Sequence, residues 1–271
     1  MSLDAASEVL LVGCGKMGQA LLKGWLDGGV VRHVTAVDPA GAPALAGEAR
    51  VTLLSEAAML PADYRADVIV VAVKPQYMDA AMPPYRALVE RGTLLLSIAA
   101  GKTFASFERY FGPAAMVRAM PNTPAAIGRG VSVAVPNARV PDEGRALCDR
   151  LLRAVGAVEW AEDEAIIDLV TAVSGSGPAY VFLIVEALAA AGAKAGLPPE
   201  MAMRLARATI AGAGELVRLS PDSAEQLRKN VTSPAGTTQA ALDVLMAPDG
   251  IQPLFDRAVA AAANRSRELA G

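Results

Sequence analysis

Six residues, Gly13-Cys14-Gly15-Lys16-Met17-Gly18, follow the apolar stretch Val9–Val12 and open a helical pattern that runs to about Asp27. They spell G-x-G-x-x-G at a strand-to-helix turn. Gly13 allows the tight turn, Gly15 lets a pyrophosphate approach the backbone, and Gly18 lets the helix pack close to the strand. The helix N-terminus adds free N–H groups and a favourable dipole. A chain with 24 glycines can produce the pattern by chance. Here strand, loop, helix and second strand occur in order, which points to a dinucleotide site. Cys14 reads as a small packing residue of that loop rather than a redox thiol. Asp38, 20 positions after Gly18, ends the next strand. An acid at that spacing accepts hydrogen bonds from the adenosine ribose hydroxyls and repels a 2′-phosphate. The next basic residue is Arg50, so the pattern predicts NAD(H) ahead of NADP(H), with NADP(H) still possible. The bland alternative is an acid capping the turn before Pro39.

Three further loops end strand-like runs, where an open α/β sheet gathers its ligands. Ala72-Val73-Lys74-Pro75 is the first, and Lys74 suits a phosphate or carboxyl group, or is a plain surface lysine. Ser97-Ile98-Ala99-Ala100-Gly101 is the second, and its small residues suit close approach to a nicotinamide ring. Met120-Pro121-Asn122-Thr123-Pro124 is the third, stiffened by two prolines. Farther on, Asn230–Thr238 forms a polar cluster. Ser233 reads as an N-cap and Pro234 as the first residue of a helix. Exposed N–H groups near Gly236–Thr238 would then hold a small carboxylate, and Thr238 an imine nitrogen; a capping arrangement alone explains the same residues.

Missing residues exclude much other chemistry. The single histidine, His33, is placed just before the second strand and reads as surface or packing, which removes a His base of the lactate-dehydrogenase type. None of the five tyrosines has a lysine four positions on, as short-chain dehydrogenases require. Two cysteines, Cys14 and Cys148, make neither a disulfide framework nor a zinc cage, so no metal is expected. Hydride transfer with little acid/base help remains. A C=N bond fits, because an imine is readily protonated and the iminium accepts hydride directly.

The elements that must position these residues follow from the pattern. The chain has 271 residues, 53% hydrophobic and 20% charged, with a formal net charge of −3. It can bury a sizeable core, and it shows no basic cluster for nucleic acid or an anionic membrane. No uninterrupted apolar run reaches the roughly 20 residues that span a bilayer. The N-terminal stretch, with Asp4 and Glu8 and no basic region, does not read as a signal peptide, so a cytoplasmic setting is expected. Apolar runs at Val9–Val12, Val34–Val37, Val68–Val73, Leu94–Ile98, Met116–Ala119 and Val131–Val135 predict a doubly wound parallel sheet, buried on both faces, in residues 1–161. Residues 162–271 read as all-helical, with breaks at Gly175–Pro178, Gly196–Pro199, Ser220-Pro221 and Ser233–Gly236. Ala179–Ala191 is apolar almost all round except for Glu186, which predicts that a second subunit sheathes it, the alternative being an ordinary central core helix.

Several of these motifs together resemble the pyrroline-5-carboxylate reductase family over essentially the whole chain. They are the Gly13–Gly18 loop, Ala72–Pro75, Met120–Pro124, Ser174-Gly175-Ser176-Gly177-Pro178-Ala179-Tyr180 and Val231–Thr238. The resemblance implies reduction of pyrroline-5-carboxylate to L-proline with NAD(P)H, the last step of proline biosynthesis. It also implies an N-terminal Rossmann domain, and a C-terminal helical domain that interlocks two subunits and often builds decamers. Carried over, Thr238 meets the imine nitrogen, and Ser233, Gly236 and Thr237 hold the substrate carboxylate, largely through backbone N–H groups. Asn230 lies near the cofactor, Glu164 in the proline site, and Ser174–Pro178 forms a structural turn close to the substrate. Asp38 departs from the serine or threonine common in the family, Ser55 from an asparagine after the third strand, and Ala235 from glycine. Two alternatives remain. A β-hydroxyacid dehydrogenase would need a lysine such as Lys194, whose glycine-flanked setting looks like a helix end; a dinucleotide-sensing module would bind without turnover.

Overall fold

In a computed structural model, which describes residues 7–42, 45 and 47–270, the alternation of side chains along three strands builds two cores at once. Strands β1 (Ser7–Val12), β4 (Val68–Val71) and β5 (Leu94–Ser97) are nearly all apolar. Successive residues point to opposite faces. Val9, Leu11, Val68, Val70 and Leu96 therefore pack on one side with Leu21, Leu22 and Trp25 of α1 (Lys16–Asp27). Leu10, Val12, Ile69, Val71 and Leu95 pack on the other, against the segment that carries α2 (Met78–Ala81), α3 (Arg86–Glu90) and α4 (Phe104–Phe111). The indole N–H of buried Trp25 donates to Leu151 O (2.8 Å), tying α1 to α5 (Asp142–Arg153).

Eight strands form one sheet in the order β3-β2-β1-β4-β5-β6-β7-β8. Strands β2 (Val31–Val37), β3 (Val51–Leu54) and β6 (Met116–Met120) run parallel to the first three. The expected parallel sheet departs at one point. β7 (Gly130–Pro136) pairs antiparallel with β6 and parallel with β8 (Gly156–Trp160). The short link through Thr123–Ile127 returns the chain without a crossover helix, so the reversal follows from connection length. His33 lies inside β2 rather than before it, its Nε2 2.9 Å from Thr52 Oγ1 of β3, which accounts for it structurally. The acidic N-terminal stretch through Asp4 falls outside the described residues.

The chain divides into two compact units. The first extends to Gly175 and takes in the C-terminal turns from Ala262; the second is Ser176–Ala261. The first unit also holds α6 (Ile166–Val170) and a π-helical turn at Thr171–Gly175. The second is helical, with α7 (Gly177–Lys194), α8 (Pro199–Leu219), α9 (Ala224–Asn230), α10 (Thr237–Leu245) and most of α11 (Ile251–Ala270). Breaks fall at the Gly/Pro positions read from the sequence, and Lys194 does end its helix.

The lack of an uninterrupted apolar run does not preclude a helix of membrane length. Ile166–Lys194 is long and apolar enough to span by length and composition, although Asp168 and Glu186 lie within it. Within one chain this surface is bare: Phe182 is 61% exposed and Leu183 62%. Large apolar side chains exposed side by side are the usual mark of an interaction surface.

Burial sets one pH dependence. Desolvation pushes the Cys14 thiol up to about 11, helped by the nearby Asp38 charge, and the Cys148 thiol and Tyr85 phenol up to about 12. These groups ionise first in the unfolded chain, so the stability they contribute is complete below about pH 9 and is lost as pH rises toward the folded values. Urea midpoints measured at pH 8 and pH 10.5 should fall accordingly; equal midpoints would show that these groups do not couple to folding.

Candidate functional site

The Gly13–Gly18 loop lies where the strand order reverses between β1 and β4, the place for ligands in an open α/β sheet. Two of its glycines are demanded by the protein itself. Gly13 has φ +91°, and a Cβ there would stand 2.7 Å from Ala72 O; a Cβ on Gly18 would stand 2.4 Å from Gly13 O. Gly15 differs, since a Cβ there would meet nothing. The protein does not need that space, which a phosphate approaching the backbone would use. Gly15 is also the N-cap of α1, with no side-chain cap and no acid in the first turn. Lys16 is exposed and Met17 half-buried beside it. The first N–H groups of α1 and the positive end of its dipole therefore face open space.

Asp38, at the end of β2, binds the same loop. Cys14 N–H donates to Asp38 Oδ2 (2.6 Å), and Ala40 N–H donates to Oδ1 (2.8 Å). The carboxylate thus does cap its turn, yet each oxygen keeps a second lone pair. Cys14 is buried with a raised thiol pKa, the state of a packing residue, not a nucleophile. Ser55 follows β3 directly, its hydroxyl turned to Met59 Sδ (3.3 Å). Ala72 and Val73 lie past the end of β4, shorter than the Val68–Val73 run; Lys74 is exposed, and Pro75 starts a 3-10 turn. Buried Ala99 and half-buried Ala100 follow β5, where Ala99 N–H donates to Ser97 Oγ (3.2 Å).

Two more sequence motifs meet in this unit. Asn122 Nδ2 donates to Ser174 O (3.2 Å), while its Oδ1 accepts from Val131 N–H (2.9 Å). A Cβ on Gly175 would stand 2.7 Å from Met120 Cε, so the π turn packs directly against the end of that side chain. Glu164 Oε1 accepts from Phe104 N–H (2.7 Å) and pairs with Arg118.

In the helical unit the polar cluster folds differently from its sequence reading. Ser233 and Pro234 do not begin the helix. Gly236 N–H donates to Ser233 O (3.0 Å), closing a turn with Pro234 and Ala235 at its corners. Gly236 is the N-cap of α10, and Thr237 its first residue. Pro234 favours the turn's first corner, and Ala235 takes φ +57°, the one non-glycine with positive φ among the described residues. The Gly236 N–H is therefore spent, and free donors begin at Thr237. Among the described residues neither Thr237 nor Thr238 has a side-chain hydrogen bond, and Asn230 Oδ1 accepts from Gln226 Nε2 (2.7 Å). Left-handed backbone costs a non-glycine residue about 1 kcal/mol. Ala235→Gly should therefore raise the urea midpoint at unchanged slope, and a lower midpoint would show that chain entropy outweighs the strain.

The chain is 41% identical to the pyrroline-5-carboxylate reductase of Pseudomonas aeruginosa, covering 97% of each. It belongs to the pyrroline-5-carboxylate reductase family. The family model for pyrroline-5-carboxylate reductase dimerisation matches residues 164–269, and a model for coenzyme F420-dependent NADP oxidoreductases matches 8–101. Among solved structures, a pyrroline-5-carboxylate reductase from Coxiella burnetii superimposes with a TM-score of 0.90 at 33% identity, covering 98% of this chain and all of that one. The Plasmodium falciparum pyrroline carboxylate reductase, solved with NADP bound, gives 0.83 at 28% identity, covering 98% of each chain. The bare surface of α7 lies inside the matched dimerisation segment, as expected for a helix that a second subunit covers.

Proposed function

We propose that this chain reduces the C=N bond of 1-pyrroline-5-carboxylate to L-proline with a nicotinamide dinucleotide. Family membership supports the reaction, and the cradle at Gly15 carries the cofactor half. It leaves open space before free helix N–H groups at the sheet's switch point, which suits a pyrophosphate. Gly13 through Gly18 would hold the pyrophosphate, with Lys74 beside it. Asp38 would accept from the ribose hydroxyls, giving preference to NAD(H) over NADP(H). Ala72, Val73, Pro75, Ala99 and Ala100 would line the nicotinamide end, and Asn230 would contribute from the helical part. The reduced nicotinamide supplies the hydride.

The other residues handle the substrate. Thr237 N–H and the Ser233 and Thr237 hydroxyls would bind its carboxylate at the start of α10. Gly236 would keep the turn tight, since a Cβ there would stand 3.0 Å from Ser233 O. Thr238 Oγ would accept from the ring N–H of the protonated imine, and Glu164 would stand near the same ring. The ring carbon takes the hydride, the nitrogen keeps its proton, and the product is a secondary amine. We assign residues 1–161 to cofactor binding and 162–271 to substrate binding and dimerisation. The working form is a cytoplasmic homodimer or a decamer built from dimers, acting on a small molecule without nucleic acid, membrane or metal.

The test is oxidation of NADH and, separately, NADPH at 340 nm with pyrroline-5-carboxylate. Turnover favouring NADH supports the whole reading, while turnover favouring NADPH removes the role given to Asp38. Dinucleotide binding with no turnover would leave a sensing module.

A further inference from the structure

Arg118 is the one charged side chain among the described residues that is buried. Taking a guanidinium out of water is costly, and packed apolar residues usually serve stability as well as a buried ion pair does. Its position is informative. Arg118 lies two residues after Met116, which packs in the core that also holds Phe107 and Phe111 of α4, so its side chain takes that face. It is in register with Ser97, where β5 gives way to the Ala99-Ala100 loop. Its carboxylate partner is Glu164, and the arrangement there is lopsided. Oε1 takes both the Arg118 guanidinium and the Phe104 N–H, at the first turn of α4. Oε2 has no partner among the described residues, and the Glu164 side chain is 29% exposed. One oxygen is anchored and the other is presented.

We propose that Arg118 is a positioning residue for imine reduction: it fixes Glu164 through Oε1 so that the negative charge on Oε2 is held ready beside the protonated ring. The same anchor sets the Ser97–Thr103 loop, because the Glu164–Phe104 bond pins the start of α4 behind it. The favourable charge of a carboxylate at that helix start adds to the hold. Arg118 touches neither cofactor nor substrate. This rests on the reading of Glu164 as a substrate residue.

The test uses the full-length oligomer with pyrroline-5-carboxylate and NADH, comparing Arg118→Met, Arg118→Lys, Glu164→Gln and the double variant Arg118→Met/Glu164→Gln. Thermal melts accompany the kinetics, and calorimetry gives the Kd for NADH. Arg118→Met and Glu164→Gln should each lower kcat/KM for the imine by about tenfold or more, with the Kd for NADH changed by less than about threefold. Arg118→Lys should recover part of the loss, since it restores charge without the planar fork. The double variant should be no worse than the worse single one, because both break one unit. If Arg118→Met fails to fold, Arg118→Lys and Glu164→Gln carry the comparison. Unchanged kcat/KM, a loss expressed in the Kd for NADH, or additive losses in the double variant would overturn the proposal. An inactive parent enzyme would instead overturn the reductase reading, and the proposal with it.

Discussion

Replacing Thr238 with alanine should lower kcat/KM for pyrroline-5-carboxylate by about 100-fold while the Kd for NADH stays within about twofold of the parent. The hydroxyl sits in the first turn of α10, half-buried, and has no hydrogen bond among the described residues. Removing it leaves no buried partner unsatisfied and no cap undone, so folding should not change. Any loss is then a loss of contact with the reacting ring. Thr238→Ser, which keeps the oxygen, should recover most of it. Unchanged turnover for Thr238→Ala would remove this residue from the mechanism and leave Glu164 as the remaining acceptor for the ring N–H.

Asp38→Ser should move preference toward NADPH, with kcat/KM for NADH falling by roughly 30- to 100-fold, the size expected for two charge-assisted hydrogen bonds to the ribose. The structure adds a cost for both cofactors. Asp38 Oδ2 accepts from Cys14 N–H, so a shorter serine also loosens the glycine loop. NADPH turnover should therefore rise by less than NADH turnover falls. Asp38→Asn separates the two effects, since it keeps an acceptor for the loop and loses the charge. An unmoved ratio of the two kcat/KM values would sink the assignment of Asp38 to the ribose.

The central strands, the glycine loop and the helical second half were legible because each carries its own signal: continuous apolar runs, a strand–loop–helix sequence, and Gly/Pro breaks. Edge strands carried less. Val51–Leu54 is short and only half-buried, and Gly156–Trp160 has Glu159 exposed in its midst, so neither reads as a buried run. The antiparallel pairing of β7 was hidden because buried strands look alike in either direction. The start of α10 was misplaced because Ser-Pro suits a helix start and a turn equally; the hydrogen bond from Gly236 to Ser233 decides it. Arg118 was missed inside an apolar run, although an arginine flanked by Met116, Val117 and Ala119 was itself the clue.

The near-contact of Gly13 with the Ala72 carbonyl has a further consequence. The loops after β1 and β4 are bonded into the sheet on both sides, through Gly13 N–H to Val37 O and Ala72 N–H to Val12 O. On the proposed reading, the floor under the pyrophosphate would thus be of fixed width for either dinucleotide. Choice of cofactor would then fall, on that reading, to the β2 end, where Asp38 also holds the Cys14 N–H of the loop. A change of reductant there would therefore have to supply the loop with a new acceptor as well as a new ribose contact.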